Sequence, residues 1–209
     1  KAKILFIATS SNASPARGRR RPGVDVAHQV NLMGIPAQIL CFLPFSQVTR
    51  GRKFLREGKK SLSTEAGLTV HYWPMIPLTR IAVFRRINYW LCGIVAALFC
   101  LRLSTRIVYG HGVKASFVGL KAKKNHPKIR VIADFHGVVS AEIAYRKPDE
   151  QNSSLIKTFE KIEETVLTDA DHVLFVSNRM KDYFQKRYAT EDLHYDIIPC
   201  AIHPIETIN

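Results

Sequence analysis

The sequence predicts a doubly wound α/β domain, with a mostly parallel sheet and helices on both of its faces. Three observations predict it. Short apolar runs of β type recur along most of the chain. Most of them lack the polar/apolar alternation of a strand with one wet face, as expected where both faces are covered. Segments of helical period fall between them.

The β-type runs are Ile4–Ala8, Ala37–Phe42, Leu68–Trp73, Arg106–Tyr109, Val131–Phe135, Val173–Val176 and Tyr195–Ile198. Leu155, Phe159, Ile162 and Val166 step by four, three and four and make one apolar helical stripe. Met180, Phe184 and Tyr188 make another, entered through a Ser177-Asn178 cap. At 209 residues, one Rossmann-like domain spanning 1–209 is the simplest organisation. Residues 43–67 break the pattern. They are polar and strongly basic, and read as a long excursion carrying a short helix.

With 46% hydrophobic and 23% charged residues, the composition is that of a globular protein and excludes a disordered tail. The formal net charge is +14, from 31 Lys+Arg against 17 Asp+Glu, so the surface should attract anions. Nucleic acid, phosphorylated metabolites and an anionic membrane face all fit that charge. The cysteines, Cys41, Cys92, Cys100 and Cys200, form no CxxC pair and lie in hydrophobic segments, as reduced thiols of a cytoplasmic protein would. The apolar run Ile4–Ala8 is shorter than a signal-peptide core and reads as a first buried strand.

Residues 87–101 form the most apolar segment, about 15 residues, shorter than the roughly 20 needed to span a bilayer. A helix packed on the sheet is the plainer reading. The sharper one takes the arginine-rich entry, with Arg80, Arg85, Arg86 and Trp90, as a contact to anionic headgroups. That would place a cytoplasmic protein peripherally on the inner face of the cytoplasmic membrane.

In a doubly wound sheet, ligands bind beyond the carboxyl ends of the strands, so the residues there are the site candidates. After the first strand come a small-residue loop, Arg17, Gly18, further arginines, Gly23 and a helix starting near Val24. Backbone N–H groups and guanidinium groups there suit a phosphate, although the stretch is neither a dinucleotide fingerprint nor a Walker loop. The fourth strand ends in Tyr109-Gly110-His111-Gly112 and the fifth in Asp134-Phe135-His136-Gly137, with Glu142 close behind. Two His-Gly pairs at the same end of successive parallel strands would converge on one crevice. A neutral imidazole there can hydrogen-bond a sugar hydroxyl or a phosphate oxygen. A metal site is not expected, because no third ligand of fitting spacing stands near the two histidines.

Taken together, these residues resemble the N-terminal domain of a GT-B glycosyltransferase, and glycosyltransferase family 4 in particular. The stretch from Ile162 through Asp171 to Ser177 is similar to that family's Glu-bearing helix, Ala-Asp, hydrophobic strand and Ser. Ile198-Pro199-Cys200-Ala201-Ile202 stands where the family has Ile-Pro-Asn-Gly-Val, and Asp134 to Gly137 resembles its strand-end His-Gly segment. Gly34 to Leu40 resembles the pattern of its second strand. The resemblance implies an acceptor-binding half of a retaining, nucleotide-sugar-dependent transferase working without metal or other cofactor. His136 would be the catalytic residue beside the transferred sugar, with His111, Gly112, Gly137 and Glu142 on the acceptor. Arg17, Gly18 and Gly23 would lie near the donor diphosphate, although the paired glycines usual in that first loop are replaced by arginines. The family's Glu-x7-Glu donor motif belongs to a second domain and is not among these 209 residues, so they are expected to be inactive alone.

The partners implied are a sugar or lipid-linked acceptor, a nucleotide sugar held through the second domain, and an anionic membrane. Envelope or surface polysaccharide or glycolipid synthesis is the implied setting. Two other readings stay open: a non-catalytic module binding lipid headgroups or nucleic acid, and the half of a GT-B epimerase or hydrolase. No recognisable nucleic-acid module supports the nucleic-acid version.

Overall fold

The computed structural model describes residues 4–9, 22–44, 67–75, 82–146, 154–190 and 192–199. Most of the basic excursion, Arg17, Gly18, Arg80 and Cys200 lie outside them. In chain order the elements are β1 Ile4–Thr9, α1 Pro22–Leu32, β2 Ala37–Pro44, β3 Thr69–Met75, α2 Ala82–Leu103, β4 Ile107–His111 and α3 Val113–Asn125. They continue with β5 Arg130–Phe135, α4 Val139–Arg146, α5 Ser154–Asp169, β6 His172–Phe175, α6 Asn178–Tyr188 and β7 Tyr195–Ile197. Each expected strand is present, its ends within two residues of the expectation.

All seven strands are parallel, in the order β3-β2-β1-β4-β5-β6-β7. This is the doubly wound arrangement, with its switch point between β1 and β4. The absence of alternation in the strands has a direct cause. Leu5 and Ile7 enter one core with Leu40, Phe42, Val108 and Val131. Phe6 and Ala8, on the opposite face, enter a second with Ile39, Cys41 and Val70. Both faces are dry, so every position of β1 must be apolar. The first core is closed by α2, α3, α5 and α6, and Ala27 of α1 is buried in the second. Right-handed crossovers require this split, because strand order runs one way from β1 to β3 and the other way from β4 to β7.

Local chemistry sets the helix ends and crossings. Ser177 caps α6, its Oγ accepting from the Met180 N–H at 3.2 Å. The stripe on α5 faces the core through Phe159, Ile162 and Val166. A Cβ on Gly93 would come within 2.3 Å of Lys121 Cβ, so glycine is what lets α2 cross α3 so closely. Cys41, Cys92 and Cys100 are buried thiols, and burial pushes the Cys92 and Cys100 thiols up to about 12. At that value they are inert packing groups.

The Ala-Asp of the sequence motif is a joint. Asp171 accepts from the Val131 N–H at 2.8 Å and from Lys123 Nζ at 2.7 Å, and its other oxygen accepts from Arg130 at 2.9 Å. Partial burial pushes its carboxyl up, but these hydrogen bonds and the Lys123 charge outweigh that and hold it below the usual range. It thus ties the start of β6 to β5 and α3.

The α3 end nearest the sheet's carboxyl edge depends on Gly110. A Cβ there would meet Ser116 Cα at 2.4 Å and Ser116 N at 2.5 Å. Gly110→Ala should therefore push α3 off β4 and lower stability by about 2 kcal/mol. Calorimetry would read this as a fall of about 6 °C in Tm.

Candidate active site at the ends of β4 and β5

The register of β4 on β5 places His111 beside Asp134. Tyr109 lies two residues before His111, so its side chain leaves the same face of β4. The result is convergence on one carboxylate oxygen. Asp134 Oδ2 accepts from Tyr109 Oη at 2.6 Å and bonds His111 Nδ1 at 3.1 Å and His136 Nε2 at 2.5 Å. The two imidazoles lie against each other with centroids 4.3 Å apart. Asp134 and His111 are buried, at 5% and 4% exposure, whereas 30% of the His136 side chain reaches solvent. His136 is therefore the member of the cluster that solvent reaches.

Burial alone would push the Asp134 carboxyl up. The bonds from His111 and His136, the charge His136 carries when protonated and the Tyr109 hydroxyl outweigh it and hold the carboxyl far below its ordinary value. An ionised Asp134 needs a donor from each imidazole, which sets the tautomers: His136 keeps Nδ1 as its acceptor nitrogen, and His111 keeps Nε2. A fixed imidazole backed by a buried anion is an oriented proton acceptor.

Backbone geometry supports the cluster. Gly112 has φ 83°, a conformation side chains disfavour, and its N–H donates to the Asp134 carbonyl at 2.8 Å. From this position it opens α3. Ser116 Oγ donates to the Gly110 and Gly112 carbonyls at 2.9 and 3.0 Å. A Cβ on Gly137 would stand 2.3 Å from Glu142 Oε1, at the tip of an exposed side chain. The Glu142 carboxylate thus lies over the loop that carries His136. Lys114, in the first turn of α3, stands over the Phe159 ring at 5.1 Å. Burial pushes its ammonium down, opposed by the charge of Glu142.

The loop is anchored from behind by Glu163 of α5, which is fully buried. Its carboxylate accepts from Ser140 N at 2.9 Å, Ser140 Oγ at 2.7 Å and Tyr188 Oη at 2.8 Å. It therefore joins α4, α5 and α6 immediately behind the His136 loop.

His111, Gly112, His136, Gly137 and Glu142 are thus brought to one end of the sheet. Gly23 lies in the first turn of α1. Arg86 and Trp90 are exposed on α2. Arg85 faces inward instead, 4% exposed, with Nη2 donating to Thr158 Oγ1 at 3.2 Å. Sequence reasoning passed over Asp134, Tyr109, Lys114 and Glu163 as site residues. Tyr109 could have been found from its two-residue offset to His111. The third potential ligand that spacing did not reveal is Asp134, since His111, Asp134 and His136 offer ligand atoms all within 4.8 Å of one another.

Because the native Asp134 carboxyl is depressed, its contribution to stability is complete above the unfolded value of about 3.9 and declines as pH falls from there toward the native value. Asp134→Asn should cost about 3 kcal/mol at pH 7. The gap to wild type should narrow as pH falls below about 4, which urea unfolding across that range would read. Glu163→Ala leaves the Ser140 and Tyr188 donors without their acceptor and should also cost about 3 kcal/mol, measured the same way.

Comparison with known proteins agrees with this architecture. A search of curated proteins finds no match. Among solved structures, sucrose-phosphate synthase from Thermosynechococcus elongatus superposes with TM-score 0.61 at 14% identity, over 97% of this chain and 49% of that one. The lipopolysaccharide outer core galactosyltransferase WaaB gives 0.60 at 16% identity, over 96% of this chain and 46% of that one. A glycosyltransferase from Rickettsia africae gives 0.59 at 16% identity, over 95% and 43%. At these identities the likeness is one of fold, that of GT-B glycosyltransferases, and the chain spans about half the length of each. Residues 48–205 match the model of Glycosyltransferase Family 4, well over half of the sequence, and the chain belongs to that family.

Proposed function

We propose that this chain is the acceptor-side half of a retaining, nucleotide-sugar-dependent glycosyltransferase. The observation that carries the proposal is the His136-Asp134-His111 cluster at the strand ends, in which His136 is the member that solvent reaches. His136 Nδ1 accepts a hydrogen bond from a hydroxyl of the reacting sugars, and Asp134 holds the ring and stabilises it when it carries a proton. His111, Gly112, Gly137 and Glu142 line the acceptor side. Arg17, Gly18 and Gly23 are assigned to the donor diphosphate, and the rest of the nucleotide sugar to a second domain. On this proposal the 209 residues alone do not transfer sugar.

The reaction needs no metal in this proposal. The three candidate ligands bond one another at 2.5 and 3.1 Å. Two ligands of one tetrahedral zinc stand roughly 3.3 Å apart, so the cluster is closer to a hydrogen-bonded unit than to a preformed metal site. The net charge of +14 favours an anionic or lipid-linked acceptor in envelope polysaccharide or glycolipid synthesis, in the cytoplasm. The family match supports a transferase over an epimerase or a hydrolase.

In the full-length protein, supplied with a panel of nucleotide sugars and acceptors, His136→Ala should lower kcat by about a hundredfold to ten-thousandfold with little change in the donor KM. His111→Ala removes a donor from the buried Asp134 that orients His136, and should lower kcat as well as raise the acceptor KM. Retention of wild-type kcat by His136→Ala would remove His136 from the reaction, and loss of transfer on adding a chelator would overturn the metal-free proposal.

A further inference from the structure

The 22 residues of α2 have two dissimilar sides. Tyr89, Cys92, Ala96 and Cys100 are buried in the main core. On the opposite side Phe84, Ile87, Leu91, Ile94, Leu98 and Leu101 step by three and four, forming a straight apolar seam. Leu98 is 59% exposed, Leu101 55% and Trp90 53%. The seam is about 25 Å long at the helical rise. Single exposed apolar residues are ordinary, but a continuous stripe of this length is not.

Among the described residues, the span Val83–Leu103 is long and apolar enough to cross a bilayer, with mean hydropathy 1.4. Crossing would, however, strip Cys92, Ala96 and Cys100 from the sheet and open the core. The helix can meet lipid only lengthwise, by its outer side.

Charge selects the occupant. No acidic residue lies between Ala82 and Leu103. Arg86 and Arg102 are exposed on opposite edges of the seam. Lys121 and Lys124 of α3 extend the Arg86 edge; burial, together with the Lys124 and Arg86 charges, pushes the Lys121 ammonium down, opposed by the charge of Asp169 at the end of α5. Pairing two copies through α2 would bring the cations of both helices together with no carboxylate in either helix to neutralise them. An anionic lipid surface supplies the missing charge, takes the apolar seam into its acyl boundary and seats Trp90 at headgroup level.

We propose that the outer side of α2 is an in-plane docking surface for anionic lipid, with Phe84, Ile87, Leu91, Leu98 and Leu101 entering the interface and Arg86, Arg102 and Lys124 on the headgroups. Arg85, turned inward, takes no part. This docking is independent of the chemistry at His136.

The test is co-sedimentation of the intact chain with vesicles of phosphatidylcholine alone and of phosphatidylcholine with about one-third phosphatidylglycerol. In a Trp73→Phe background, Trp90 fluorescence reports depth. Binding to the anionic vesicles with a blue shift of Trp90 is expected. Leu98→Glu should weaken it about tenfold and the Leu98→Glu/Leu101→Glu pair about a hundredfold, while circular dichroism and the unfolding midpoint hold, since both sites are exposed. Arg86→Ala, which leaves the seam intact, should weaken it about fivefold. Folded protein that stays in the supernatant would overturn the proposal. So would binding that survives the double Glu variant, or a dimer in sedimentation velocity that the double variant dissociates, since a second copy would then own the seam.

Discussion

The buried carboxylate of Asp134 is the constraint on which the carboxyl edge of the sheet depends. An anion at 5% exposure survives only where donors surround it, and here Tyr109, His111 and His136 supply them. Those donors come from β4 and from the end of β5, so the anion is satisfied only in one register of the two strands. Shifting that pairing by one residue would turn Tyr109 and His111 to the other face and leave the charge alone. The glycines nearby set the backbone around it. Gly112 turns the chain so that its N–H reaches the Asp134 main-chain carbonyl, and Gly110 leaves the space into which α3 is drawn.

Two other acids act in the same way. Glu163 draws Ser140 and Tyr188 onto α5, and Asp171 draws Lys123, Arg130 and the Val131 amide onto the start of β6. In a chain with only 17 Asp+Glu against 31 Lys+Arg, placing acids at such joints leaves fewer to offset the cations outside. The loop behind His136 is held by hydrogen bonds to the buried Glu163 carboxyl group as well as by apolar packing.

The helix α2 shows how one element can serve two environments. Past Tyr89 its inner side is made of small and thiol-bearing residues, including Gly93, which allow a close crossing of α3. Its outer side carries the large residues that a soluble helix ordinarily turns inward. Uniform hydropathy along the segment conceals this division, because both sides are apolar. What separates them is side-chain size and the placement of single arginines.

The fold was legible in the sequence because a parallel sheet covered on both faces demands unbroken apolar runs, and such runs can be counted without knowing what they touch. The two strand-end histidines were legible too, since the carboxyl ends of such strands face the crevice whatever the details. Only the tertiary structure decided what those histidines bond to. Asp134 looked like part of a strand end until the β4-β5 register set it beside His111, and Glu163 looked like one more helical acid until the fold brought Ser140 and Tyr188 to it. The neighbours Arg85 and Arg86 are identical in composition and opposite in fate, because one helical step of 100° carries one to Thr158 and the other to solvent. Pattern along a chain determines which face must be dry. Contact between distant residues is set by strand register and helix rotation, which no local pattern encodes.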